Sequence, residues 1–163
     1  IVETEAYFGE KDKASHAFGG RRTKRTETMF ATGGVAYVYL CYGILHLFNV
    51  VVSKQDDPQA ILIRAVEPLI GIEIMESRRG MPISKNAISS GPGSVAKAMG
   101  IDQSFNKKRL TDNEVWIEDH SIQISKTQIM ASPRIGVAYA KEHALLPLRF
   151  FLKGNKYVSK PNK

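Results

Sequence analysis

Residues 35–66 read VAYVYLCYGILHLFNVVVSKQDDPQAILIRAV, and this stretch decides the fold. Residues 35–42 are β-branched and aromatic, which predicts a strand with Tyr37, Tyr39 and Cys41 on one face. Residues 44–52 and 60–66 are apolar runs on either side of SKQDDPQ. Asp-Asp-Pro is turn chemistry, so the two runs are expected to pair as a hairpin. Arg64 stands alone in the otherwise apolar run AILIRAV, and a charge in such a strand needs a partner.

Upstream, residues 1–7 (IVETEAY) alternate and predict another strand, with Glu3, Glu5 and Tyr7 on one side. Residues 9–25 are polar and basic and read as a loop or short helix. Downstream, residues 68–79 read as a helix with Pro68 near its first turn, and residues 90–100 as a short helix opened by Ser-Gly-Pro and closed by Gly100. Residues 115–119 and 121–125 suggest a second hairpin, and residues 132–140 and 148–153 two further strands. The basic tail, residues 156–163, is expected to fray. The sum is an α+β chain, a single domain over residues 1–163 with a largely antiparallel sheet.

Composition narrows the classes. The chain has 163 residues, and 23 Lys+Arg against 16 Asp+Glu leave +7, so an anionic partner is the natural expectation. Its hydrophobic fraction of 43% is too high for a disordered polymer. No apolar run reaches the roughly 20 residues of a membrane helix. A single cysteine, Cys41, excludes an internal disulfide and points to a reducing compartment. With four scattered histidines it offers no zinc-binding pattern.

Three groups of residues can carry chemistry. Arg64 is either one half of a structural ion pair or a site arginine that positions a carboxylate, water or phosphate. Glu3 and Glu5, about 7 Å apart on one strand face, suit acid/base work at an acetal-like carbon, or form an ordinary solvated face. Tyr7, His16, Tyr37, Tyr39 and Tyr42 fall in the most basic part of the chain. Aromatics interleaved with basic residues suit base stacking beside a phosphate-gripping surface, and are also common as core and edge residues. Ser90-Gly91-Pro92-Gly93 at a helix start could present N–H groups to a phosphate or simply cap the helix.

In order along the chain stand IVETEAY, the run from His16 through GGRRT to Arg25, Met29-Phe30, YVYLCYG, ILIRAVEP, SGPG, SPRIGV and PLRFFLKG. As an ordered set they resemble the alkyladenine (3-methyladenine) DNA glycosylase family from Ile1 to about Ser159. One departure is Ser94, where the family commonly has a lysine just after the SGP turn.

The resemblance implies one compact domain with a curved antiparallel sheet, flanking helices and a β-hairpin that protrudes into DNA. It implies Glu5 as general base, with Arg64 and the backbone carbonyl of Ile135 holding the attacking water. Tyr7, His16 and Tyr39 would stack a flipped base, Asn49 would crowd the purine 2-amino position, and the Ala14 N–H would meet N7 of the leaving purine. Tyr42 would fill the gap left in the duplex, with Tyr37, Thr23 and Met29 at hairpin or pocket-rim positions contacting DNA.

The implied activity is excision of 3-methyladenine, 7-methylguanine or hypoxanthine, leaving an abasic site. No metal or other cofactor is expected, and no lyase step. The expected partner is damaged double-stranded DNA, with no membrane, bound by a monomer in a bacterial cytoplasm or, in a eukaryote, a nucleus. A non-catalytic nucleic-acid-binding module would keep the basic loop and aromatics without needing Glu5 beside Arg64. A carbohydrate-directed glycosidase using Glu3 and Glu5 would leave the charge of +7 without a purpose.

Overall fold

The computed structural model describes residues 1–160, and one six-stranded sheet organises them. The strands are β1 (Glu3–Tyr7), β2 (Ala36–Cys41), β3 (Leu45–Val51), β4 (Ala60–Ala65), β5 (Ile129–Ser132) and β6 (Arg149–Leu152). Their spatial order is β2-β3-β4-β1-β6-β5, with every neighbouring pair antiparallel. The N-terminal strand β1 is therefore interior, which buries both of its carboxylates.

Strand alternation sorts the two faces. On one face Ala36, Val38, Phe48 and Ile63 form a core with Val95, Ala96, Ile101 and Leu110. Two of these, Val95 and Ala96, come from helix α2 (Pro92–Met99), and α1 (Ile72–Arg79) packs beside α2. The opposite face carries the polar and aromatic alternates. Pairing register sets Tyr37 against Asn49, Asn49 against Leu62, Leu62 against Glu5 and Glu5 against Arg149. One row across five strands thus brings residues 37, 49, 62, 5 and 149 side by side.

The β2–β3 hairpin ends in solvent. The Ile44 N–H donates to the Cys41 carbonyl at 3.1 Å, closing a turn whose central residues are Tyr42 (φ 50°) and Gly43 (φ 72°). A glycine takes positive φ freely, whereas a tyrosine there is strained. Tyr42 is 92% exposed at this tip.

Several expectations need correction. Residues 115–125 form no hairpin: Trp116 makes one bridge to Thr111, and Ile117, Ile122 and Ile124 are exposed. Two strands with no third strand or helix to cover them lack the burial that would hold them. The strand expected at 132–140 ends at Ser132, after which Pro133 interrupts and residues 138–145 wind into 3₁₀ turns. Helix α1 starts after Gly71, because Pro68 is followed by exposed Leu69 and Ile70 outside the helix. The tail does not fray through Ser159: Tyr157, Val158 and Ser159 are buried, and residues 161–163 lie outside the described part. No helix among the described residues is long and apolar enough to cross a membrane.

Candidate active site

Glu5 lies at the base of an open cleft of about 890 Å³ and is itself fully buried. Its carboxylate is held from three directions. The Ile135 N–H donates to Oε1 at 2.7 Å, and Arg64 Nη1 approaches the same oxygen at 3.3 Å. The Tyr7 hydroxyl donates to Oε2 at 2.9 Å. Burial, then the neighbouring Glu5 charge, raise the Tyr7 phenol well above its ordinary range, so it remains a donor. Each carboxylate oxygen has two lone pairs. Among the described residues Oε2 accepts one hydrogen bond, from Tyr7, while Oε1 accepts Ile135 and faces the Arg64 charge, so Oε2 keeps a lone pair that can take a proton from water.

Arg64 lies against both carboxylates of β1. Its Nε donates to Glu3 Oε1 at 2.8 Å while Nη1 faces Glu5. Glu3 is engaged by protein donors on both oxygens. Its Oε1 also accepts Arg149 Nε at 2.7 Å and Ser159 Oγ at 2.8 Å, and its Oε2 accepts the Ser159 N–H at 2.7 Å. Burial alone would raise the Glu3 pKa, but the Ser159, Arg149 and Arg64 bonds outweigh it and hold the carboxyl below its usual value.

The aromatic wall stands beside Glu5. His16 meets Tyr39 edge-on at 4.6 Å between ring centres, and Tyr37 and Tyr39 are tilted at 5.3 Å. His16 Nδ1 and the Tyr37 hydroxyl are hydrogen-bonded at 3.0 Å. Burial, with Arg25 and Arg21 adding to it, lowers the His16 pKa to about 4, and burial pushes the Tyr37 phenol up to about 12. Both rings are therefore neutral at pH 7, and neutral rings can face a cationic base.

A narrow recess opens behind the cleft, floored by Met29, Tyr37, Asn49 and Ala60. Asn49 is buried and donates through Nδ2 to the Tyr37 carbonyl at 3.1 Å. Tyr37 and Met29, expected at hairpin or pocket-rim positions, are each 2% exposed and line this recess. Their side chains point from the sheet and a 3₁₀ turn into the shared core, and the recess ends on them. Thr23 is exposed at the cleft mouth and Tyr42 at the hairpin tip, both lining the cleft. The Ala14 N–H donates to Asp12 Oδ1 at 3.0 Å, so it is already engaged rather than free for a ligand. Ile135 meets Glu5 through its N–H, a bond separate from the contact with water that the resemblance gives to its carbonyl.

A second buried pair escaped the sequence reading. Arg134 forks onto Asp12, with Nη2 2.8 Å from Oδ1 and Nη1 on Oδ2, and donates through Nη1 to the Ala6 carbonyl at 2.8 Å. Its guanidinium lies 4.7 Å from the centre of the Tyr7 ring. Asp12 also accepts the Phe8 and Ala14 N–H groups, fixing the loop that carries His16. The available signal was Arg134 itself, a charge wedged between Pro133 and apolar Ile135, as Arg64 is within its strand.

The chain matches the methylpurine-DNA glycosylase (MPG) family model over residues 1–156. The chain belongs to the methylpurine-DNA glycosylase family. Curated relatives support this. A protein of Clostridium botulinum named "Putative 3-methyladenine DNA glycosylase" is 44% identical over 98% of this chain and 82% of its own length. Proteins of the same name from Clostridium beijerinckii and Bacillus cereus are each 45% identical over the same shares. Among the described residues, no group of three or more His, Cys, Asp or Glu side chains is placed to hold a metal ion.

Proposed function

We propose that this chain is a base-excision-repair glycosylase that hydrolyses the N-glycosidic bond of alkylated or deaminated purines turned out of duplex DNA. The observation that carries this reading is Glu5, fully buried yet lining a cleft walled by Tyr7, His16 and Tyr39. A purine within a duplex must leave the stack before its sugar carbon can be reached. Tyr42, exposed and held out on a strained turn, suits the gap that the extruded base leaves.

Glycosidic cleavage develops positive charge on the sugar, and a fixed carboxylate stabilises it. Glu5 takes a proton from water as the water oxygen bonds to C1′. The C1′–N bond breaks with its electron pair leaving on the purine. Cationic purines such as 3-methyladenine and 7-methylguanine leave readily and are attracted to neutral aromatic rings by about 0.5–2 kcal/mol. Hypoxanthine, which is neutral, needs a donor at its N7. With the Ala14 N–H engaged by Asp12, that donation is shared or comes from elsewhere in the pocket.

A lyase step needs a free amine near C1′. Lys13 lines the cleft but is ion-paired to Glu142, which supports simple hydrolysis. The decisive test incubates wild type and Glu5→Gln with duplexes containing 7-methylguanine or hypoxanthine, without added metal. Wild type is expected to release free base, leave an abasic site and form no borohydride-trapped adduct. Glu5→Gln is expected to bind lesion duplex without releasing base. Excision that survives the substitution would remove Glu5 as the base, and binding without excision by wild type would favour the non-catalytic module.

A further inference from the structure

The outer cleft and the inner recess meet at a throat, and only five residues line both: Tyr7, Ser15, His16, Tyr39 and Tyr139. Three of these are the expected stacking residues. Ser15 uses its hydroxyl on the Ala17 N–H at 3.2 Å. Tyr139 remains, and nothing in the strands or in the sequence motifs had singled it out. We infer that the Tyr139 ring is a further wall of the base-binding slot and touches the extruded purine, a role that rests on the function proposed above.

The placement of Tyr139 differs from that of a packing residue. Its side chain is tethered at the far end, the hydroxyl donating to the Ala14 carbonyl at 2.9 Å. The residue is nevertheless 64% exposed, so the ring is fixed in position without being covered. A tethered, open aromatic ring loses little freedom when a ligand stacks on it. It lines the same cleft as Tyr39 in the pocket wall and Cys41 and Tyr42 at the hairpin tip. It therefore bridges the wedge and the cage along the path of an extruded base.

The backbone that presents it is irregular. Gly136 has φ 77° and Lys141 has φ 53°, one on each side of Tyr139. A non-glycine residue at positive φ persists only where its surroundings hold it, and such strain clusters at binding sites. The tether spans 125 residues of sequence, joining the segment after Ile135 to the loop that carries His16. Glu5 and Tyr139 are thus set by the same short stretch, Ile135 through its N–H and Tyr139 through its ring.

The test measures single-turnover base release and lesion-duplex binding for Tyr139→Ala, Tyr139→Leu and Tyr139→Phe, with thermal unfolding as a check on folding. Because the ring is exposed, the melting temperatures are expected to stay near wild type. Tyr139→Ala is expected to lose roughly tenfold in lesion affinity, in keeping with loss of one stacking surface, while affinity for undamaged duplex holds. Tyr139→Phe keeps the ring and is expected to lose clearly less than Tyr139→Ala. Tyr139→Leu, apolar without a π-face, is expected to lose more on 7-methylguanine than on hypoxanthine.

Wild-type lesion affinity in Tyr139→Ala would overturn the inference, as would an equal fall for Tyr139→Phe and Tyr139→Ala. A parallel loss on undamaged duplex would move Tyr139 to the backbone interface and overturn it too. These failures differ from failure of the function itself, in which wild type neither binds lesion duplex selectively nor releases base.

Discussion

Glu3 and Glu5, two residues apart on β1 and both buried, share one guanidinium: Arg64 Nε lies 2.8 Å from Glu3 and Nη1 3.3 Å from Glu5. Their surroundings divide the labour. Glu3 is enclosed by Arg64, Arg149 and Ser159, with both oxygens committed to protein donors. Glu5 opens onto the cleft and has a lone pair to spare. Removing Glu3 takes one buried carboxylate from both Arg64 and Arg149, so Glu3→Ala is expected to cost about 3–5 kcal/mol of stability. Glu5→Gln keeps the shape and the Arg64–Glu3 bond and is expected to cost clearly less. Urea unfolding of the two variants checks the contrast, and equal destabilisation would dissolve it.

Acid should destabilise the protein in two stages. Burial lowers the His16 pKa to about 4 in the folded chain from its ordinary 6.5, so between these values the unfolded chain binds a proton that the folded one refuses. Stability therefore falls as pH drops through that window. Glu3 and Asp12 are held below their ordinary values of 4.5 and 3.8. For Asp12, burial opposes the shift, and the bonds from Arg134, Ala14 and Phe8 outweigh it. Their contribution is complete above those ordinary values and is lost as pH falls through the depressed ones. Urea unfolding from pH 7 to pH 3 should show both stages, and His16→Asn should flatten the upper one. A slope unchanged by that substitution would remove His16 as its source.

Much of this site was legible because strand period is simple. Alternation alone placed Glu5 and Tyr7 on one face of β1, and the anomaly of Arg64 within AILIRAV marked the buried ion pair. Which carboxylate would be enclosed was not legible. That depends on Ser159 and Arg149, distant in sequence, closing over Glu3. The same holds for the Asp12–Arg134 fork, which joins residues 122 apart. Hydrophobic alternation also misled at residues 115–125, since a pattern that fits a strand does not supply a neighbouring strand.

Tyr42 offers a separation of folding from function. It is 92% exposed and sits at φ 50°, so Tyr42→Gly removes the ring and relieves the turn. The variant is expected to unfold at or slightly above the wild-type temperature. Its affinity for lesion duplex should fall by about 1–3 kcal/mol, the worth of one stacked base. Calorimetry and fluorescence titration read the two quantities, and unchanged lesion affinity would exclude the wedge.

The basic residues at the mouth are not equivalent, and salt can tell them apart. Arg22 is saturated, with Glu27 held at 2.7 and 3.0 Å and Asp56 at 2.7 Å. Arg21 lines the cleft and, among the described residues, has no ion-pair partner. A cation already neutralised by two carboxylates releases no counterion from DNA, whereas a free one at the rim does. Arg21→Ala should therefore reduce the slope of log affinity against log salt by about one. Arg22→Ala should leave that slope where it was, because the lost charge was internally compensated. Titrations of undamaged duplex across a salt series measure both slopes. If Arg22→Ala lowers the slope as much as Arg21→Ala, the ion pairs with Glu27 and Asp56 do not persist on DNA, and the phosphate-binding rim extends to Arg22.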